Sequence, residues 1–304
     1  MTRYCTHLEH AQYGLGHIKG PPLKIEYAAA PFAALPAEFL VTVVARVLNQ
    51  GSTPECEGYT AVIGRRITQP PVGEDGFDPN DIFRLAGGTS NGTTTAAIEK
   101  ALLSPGASCT SGPNKGARLP VKSCQNIATL TMLKSAVMNE QFAGLAVDWY
   151  ESWFNPLATG MLPEPSGGIA GGHIFTICGW DDTRACPDGT VGVLICQNSW
   201  GTSWGANGYF AMPYSYLGSP LEAYTQIAMP ATPVTVPFTD KGADVQTARS
   251  IDCIINLDGS PTPQMTVQTI RKGTLGGRYS GPAHTFAKPD GSIAYILDRN
   301  FHFS

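Results

Sequence analysis

Residues 197–205 read QNSWGTSWG, and they follow VGVLIC at 191–196. The Val, Leu and Ile run reads as a buried strand. Its end carries two carboxamides, a serine and two tryptophans within eight residues. Polar groups at the mouth of a core strand cost free energy unless they are hydrogen-bonded, so Gln197 and Asn198 have something to hold. A second apolar stretch, GGHIFTICGWDD at 171–182, lies upstream, and the turn formers DDTRACPDGT separate the two. A hairpin centred near Cys186 sets His173 opposite roughly Ser199, beside Asn198. A carboxamide oxygen there accepts the ring N–H, fixes the tautomer and leaves the other ring nitrogen free.

The partner for that free nitrogen is Cys56, in NQGSTPEC at 49–56. Thr53 or Ser52 as cap, Pro54 in the first helical position and Glu55 in the first turn predict a helix from about Pro54 to Arg66. Cys56 then sits in the first turn, where the macrodipole and unpaired N–H groups favour a thiolate. Gln50, six residues earlier and separated by a turn at Gly51, is placed to join the Cys56 N–H as an oxyanion hole.

These motifs resemble the papain-like cysteine peptidases, in their shorter bacterial and phage form. NQGSTPEC reproduces the family's Gln-Gly-x-x-x-x-Cys spacing, GGHIFTICGW its histidine strand, and NSWGTSWGANGYF its asparagine motif. Weaker likeness lies in GTTTAAIEKAL, DWYESWF, MLPEPSGGIAGGH and MPYSYL, so the resemblance covers about 35–230. It implies an α+β papain-like fold of two lobes, one helical and one β-barrel-like. It also implies a site of Cys56, His173, Asn198 and Gln50, with Trp200 shielding the His–Asn hydrogen bond, acting on a peptide or protein substrate. The sequence departs from the family in having Glu57 where a tryptophan usually follows the nucleophile. Glu55 and Glu57 flank the thiol and act to raise its pKa. Only 55 residues precede Cys56, which is short for the family's inhibitory propeptide.

The 304 residues are 42% hydrophobic and 14% charged, with a net charge of −4, which gives no electrostatic case for nucleic acid or an anionic membrane. The longest apolar stretch, FLVTVVARVL at 39–48, is too short to span a bilayer, and no signal peptide is visible. The expected place of synthesis is the cytoplasm, with the eight cysteines reduced; a Cys109–Cys124 bridge is the one local alternative. No metal or organic cofactor is expected. Three parts are expected: an arm at 1–30, the peptidase domain at 31–230, and a β-rich appendage at 231–304, where PDGS at 289–292 turns between HTFAK and IAYIL. His7, His10, His17, His284 and His302 belong to no constellation and are expected at the surface.

Three functional classes follow: an active thiol peptidase, a thiol transferase or amidase on the same fold, and a catalytically weak or inactive domain serving a larger assembly such as a phage virion. The first is the expected one.

Overall fold

A computed structural model describes residues 12–28, 35–42, 45–69 and 76–229, with four short strands between 248 and 297. The chain divides into two compact units, Met1–Met229 and Pro230–Ser304. Cys5, His7, His10, Cys253 and His302 lie outside the described residues.

The first unit opens with β1 (Glu38–Leu40), α1 (Cys56–Thr68), β2 (Gly76–Phe77), α2 (Pro79–Leu85) and α3 (Thr95–Leu103). Strands β3 (Ala107–Ser111), β4 (Arg118–Leu119) and β5 (Ser123–Ile127) lead to α4 (Leu130–Glu140). Then come β6 (Ala143–Tyr150), β7 (Ile169–Ala185), β8 (Val191–Gln197), β9 (Tyr209–Pro213) and β10 (Glu222–Ile227). Asp78 caps α2, accepting from the Asn80 and Asp81 amides, with Pro79 at the first helical position. Thr94 and Thr129 cap α3 and α4 through their hydroxyls. Thr53 does not cap α1. Its hydroxyl donates to the Gln50 carbonyl at 2.7 Å, and the helix starts two residues later than expected, at Cys56 itself.

The main sheet is antiparallel, ordered β5-β10-β6-β7-β8-β9, with β1 added along β7. A β-barrel-like lobe was expected. The sheet instead stays open: β7 has register shifts near Ile177 and Asp181 that locally interrupt its ladder with β8, and no ladder joins the edge strands β5 and β9. The β7–β8 register pairs Thr176 with Gln197 and Ile177 with Cys196, one residue from the expected alignment.

Two hydrophobic cores meet in this unit. One holds the tryptophans Trp149, Trp153, Trp180, Trp200 and Trp204 with the faces of β6, β7 and β8. The other holds Cys56, Val62, Ile63, Ile98, Leu102 and Ile174 between the helices and the sheet. Close approach of α1 to the sheet needs small residues. A Cβ on Gly64 would press into Phe142 and the Gln226 amide, and one on Gly144 into Tyr224 and Thr60. Across that contact the Thr60 hydroxyl donates to the Ile174 carbonyl, and Gln226 Nε2 to the Ala61 carbonyl.

In the second unit the described strands form two antiparallel pairs, β11 (Ala248–Ile251) with β12 (Val267–Ile270), and β13 (Ala283–Ala287) with β14 (Ile293–Leu297). The second pair lies on either side of the PDGS stretch in sequence, whose own residues lie outside the described ones. Among the described residues of the whole chain, no helix is long and apolar enough to cross a membrane.

Candidate active site

His173 lies on β7 opposite Val147 of β6, at the seam between the two cores. Its Nε2 is 2.8 Å from Asn198 Oδ1. Asn198 Oδ1 also accepts the Ser199 amide at 2.8 Å, so it is an acceptor and Nε2 carries the proton. Nδ1 is buried and has no hydrogen-bond partner. The Trp200 ring stacks on the imidazole with centroids 4.6 Å apart, and Trp149 meets it edge-on at 5.0 Å. Trp200 thus covers the His–Asn pair, while Trp149, which sequence reasoning missed, packs edge-on against both the imidazole and Trp200.

Cys56 begins α1, and its thiol is fully buried. Backbone groups of Ile174, Gly16 and Glu57 lie near it and favour its anion, and Ile174 is the residue after His173. Gln50 joins the two loops of the site. Its backbone N–H donates to the Ser199 carbonyl, and the Ser199 hydroxyl donates to its Oε1 at 2.6 Å. That aims Nε2 at two carbonyl oxygens, those of Thr53 (2.7 Å) and Gly14 (3.1 Å).

Gly14 belongs to the N-terminal arm, which lies across the site. Gly14 N–H donates to the Gly51 carbonyl, and the amides of Gly16 and His17 to the Gly172 carbonyl beside His173. Trp200 Nε1 donates to the Gly14 carbonyl at 3.2 Å, and Tyr13 stacks on Trp200 at 4.9 Å. Only glycine fits two of these positions: a Cβ on Gly14 would collide with the Thr53 carbonyl, and one on Gly16 with the Pro54 carbonyl. The arm covers the nucleophile, whose side chain it leaves fully buried.

His17 overturns another expectation. It was expected at the surface and is buried. Its Nδ1 is 2.7 Å from Glu57 Oε1, and its Nε2 lies 3.1 Å from Glu222 Oε1, off the direction of a hydrogen bond. Thr95 Oγ1 donates to the same Glu57 oxygen at 2.8 Å. Glu57, itself fully buried, therefore faces the arm as well as the thiol. Glu55, by contrast, takes a hydrogen bond from the Thr53 hydroxyl.

These surroundings set the charges. Burial, then the charge of Glu57, raises the Cys56 thiol to about 12, against the pull of its backbone donors. Burial lowers His173 to about 4; Asn198 opposes this and the His17 charge adds to it. Burial also lowers His17, but the neighbouring carboxylates of Glu222 and Glu57, the latter hydrogen-bonded to it, outweigh that and lift the group to about 9. With the arm in place, the thiol and the His173 imidazole are both neutral and His17 is an imidazolium. Among the described residues no disulfide joins Cys109 to Cys124.

Residues 88–225 match the family model of the papain family cysteine proteases, a stretch holding His173, Asn198 and Trp200 but starting after Cys56. Among solved structures, a procathepsin B from Trypanosoma congolense aligns over 74% of this chain and 89% of its own, with a TM-score of 0.59 and 13% identity. Xylellain, a cysteine protease from Xylella fastidiosa, aligns over 72% of this chain and 97% of its own, with a TM-score of 0.56 and 19% identity. An uncharacterised peptidase C1-like protein of Acanthamoeba polyphaga mimivirus is 45% identical over 56 residues, which is 18% of this chain and only 16% of the viral protein. The chain has the papain-like fold, and residues 88–225 within it match the papain family cysteine proteases.

Proposed function

We propose that this chain hydrolyses peptide bonds by acyl transfer through Cys56, His173, Asn198 and Gln50. The observation that carries the reading is the 2.8 Å contact from His173 Nε2 to Asn198 Oδ1, which leaves Nδ1 unpaired. Nδ1 takes the Cys56 proton, and the thiolate attacks the substrate carbonyl carbon. Gln50 Nε2 and the Cys56 N–H bind the oxyanion; Gln50 already donates to a peptide carbonyl, that of Gly14. His173 then gives its proton to the leaving amine as the carbon–nitrogen bond breaks. Water, losing a proton to the same nitrogen, attacks the thioester and frees the acid and the thiol.

The arm has to leave before a substrate enters. Turnover by the full chain is therefore expected only after the arm is lifted, and Cys56→Ala is expected to abolish it without unfolding the protein. The measurement is hydrolysis of a fluorogenic peptide by Gly16→Ala, with and without Cys56→Ala. Equal rates in the two would remove Cys56 from the chemistry.

A second reading has two observations behind it. The buried neutral thiol suits a catalytically silent domain, and the short viral match suits a part in a viral assembly. An arm-loosened variant with no hydrolysis and no thiol reactivity would favour it.

A further inference from the structure

The arm is a peptide bound in the cleft, and it marks where a side chain goes. Around His17 it hydrogen-bonds to one residue on both sides: the Thr93 amide donates to the Gly16 carbonyl at 2.9 Å, and the Ile18 amide to the Thr93 carbonyl at 2.8 Å. Between these two bonds the His17 side chain enters a pocket whose polar walls are Glu57, Glu222 and the Thr95 hydroxyl. We infer that Glu57 and Glu222 form a cation-taking subsite of the cleft, filled by the arm's own His17 and, once the arm is lifted, by a basic side chain of an incoming peptide.

Three observations support this beyond the presence of two carboxylates. Glu57 is fully buried, and its Oε2 has no hydrogen-bond partner, so it keeps an unmet demand for a donor even with His17 in place. When the arm leaves, His17 goes with it, and so does Lys19, whose charge also acts on Glu222. The Thr95 hydroxyl then remains as the hydrogen-bond partner of the Glu57 carboxylate. A buried carboxylate without a cation is costly, and a lysine, arginine or protonated histidine removes that cost while an apolar side chain leaves it standing. Arginine adds the option of a two-point contact with one carboxylate. Glutamate at the position after the nucleophile, where the family usually has tryptophan, thereby gains a role that its effect on the thiol does not supply.

The proposal rests on reading the cleft as a peptide-binding one, and its test separates binding from chemistry. The full chain carrying Gly16→Ala and His17→Ala frees the pocket, because a Cβ at Gly16 cannot fit beside the Pro54 carbonyl. Gly14→Ala with His17→Ala is the second such variant, should the first fold poorly. Fluorescein-labelled Tyr-Gly-Leu-Gly-X-Ile-Lys, with X as His, Lys, Arg, Ala or Leu, is titrated and followed by anisotropy. The expected result is that Lys and Arg bind at least tenfold more tightly than Ala and Leu, and that adding Glu222→Gln removes most of the difference. Equal binding for all five peptides, a preference for Leu, or no binding at all would overturn the subsite. Iodoacetamide labelling of Cys56 in the same protein reports separately on the nucleophile, so a dead thiol with selective binding would sink the peptidase reading alone.

Discussion

For Cys56 to act, its proton must pass to His173, and the burial of both groups opposes that transfer. The thiol stands at about 12 and the imidazole at about 4 while the arm covers them. Each is held neutral mainly by lost hydration, so the entry of water or substrate weakens the very effect that keeps them apart. At pH 7.5, alkylation of Cys56 by iodoacetamide is expected to be slow in the wild-type chain and at least tenfold faster in Gly16→Ala. In that opened variant the pH midpoint is expected to fall below the free-thiol value of about 8.5 and to return to it when His173→Ala is added. Equal labelling of the closed and opened chains would show that the arm does not guard the thiol. The motif residues were legible in the sequence because a catalytic group needs a fixed neighbour at a fixed spacing: Gln50 before Cys56, and Asn198 just past a strand that pairs with His173's. His17 was not. Its two partners lie 40 and 205 residues further along the chain, and nothing local in YGLGHIKG marks a histidine that will be buried between carboxylates. The glycines at 14 and 16 were the available signal, since closely spaced glycines mark a backbone that must pass near another.

Among the elements, the long strands β7 and β8 followed from their apolar runs. The strands missed by sequence reasoning share a reason. β3 reads ASCTS, β5 SCQNI and β10 EAYTQI, and their Ser, Gln and Glu content conceals the strand pattern. They are strands because β10 is flanked by β5 and β6 in the main sheet and β3 by β2 and β4 in a smaller one, pairings that no local propensity encodes. The start of α1 misled for a different reason: Thr53 had two uses for its hydroxyl, and closing the Gln50 turn took precedence over capping the helix. Asp78 gives a clean test of the cap argument, because its side chain accepts two amides at the start of α2, which packs against the nucleophile helix. Asp78→Ala is expected to destabilise the protein by about 0.5–2 kcal/mol, read as a lower urea midpoint with an unchanged slope. A shift in slope, or no change in midpoint, would mean that the cap contributes nothing to the folded state.

Over the whole molecule, the two buried histidines set opposite limits on stability as pH changes. His17 has a folded pKa of about 9, above the unfolded value of about 6.5. Its contribution is fully present below pH 6.5 and is lost as pH rises through 9, because the native state then releases a proton that the unfolded state had already given up. His173 has a folded pKa of about 4, below the unfolded value. The unfolded chain binds its proton first, so this contribution is present above pH 6.5 and is lost as pH falls toward 4. Glu222, held below its usual value although burial pushes it up, because the adjoining His17 cation outweighs that push, adds to the acid-side loss below the ordinary carboxylate range. Stability of the first unit is thus expected to peak near pH 6.5 and to decline on both sides, each limb being worth on the order of 3 kcal/mol at most. The limbs are separable by mutation. His17→Gln is expected to flatten the alkaline limb and to shrink the acid one to the part that His173 burial supplies, whereas His173→Gln removes that part and leaves the alkaline limb, as read from urea midpoints between pH 4 and 9. The alkaline limb carries the further consequence that its loss is also the loss of the arm's anchor. Cys56 in the wild-type chain should therefore become alkylated faster above pH 9 by more than thiol ionisation in His17→Gln accounts for. A wild-type profile that runs parallel to that of His17→Gln across this range would show that the imidazolium between Glu57 and Glu222 does not hold the arm in the cleft.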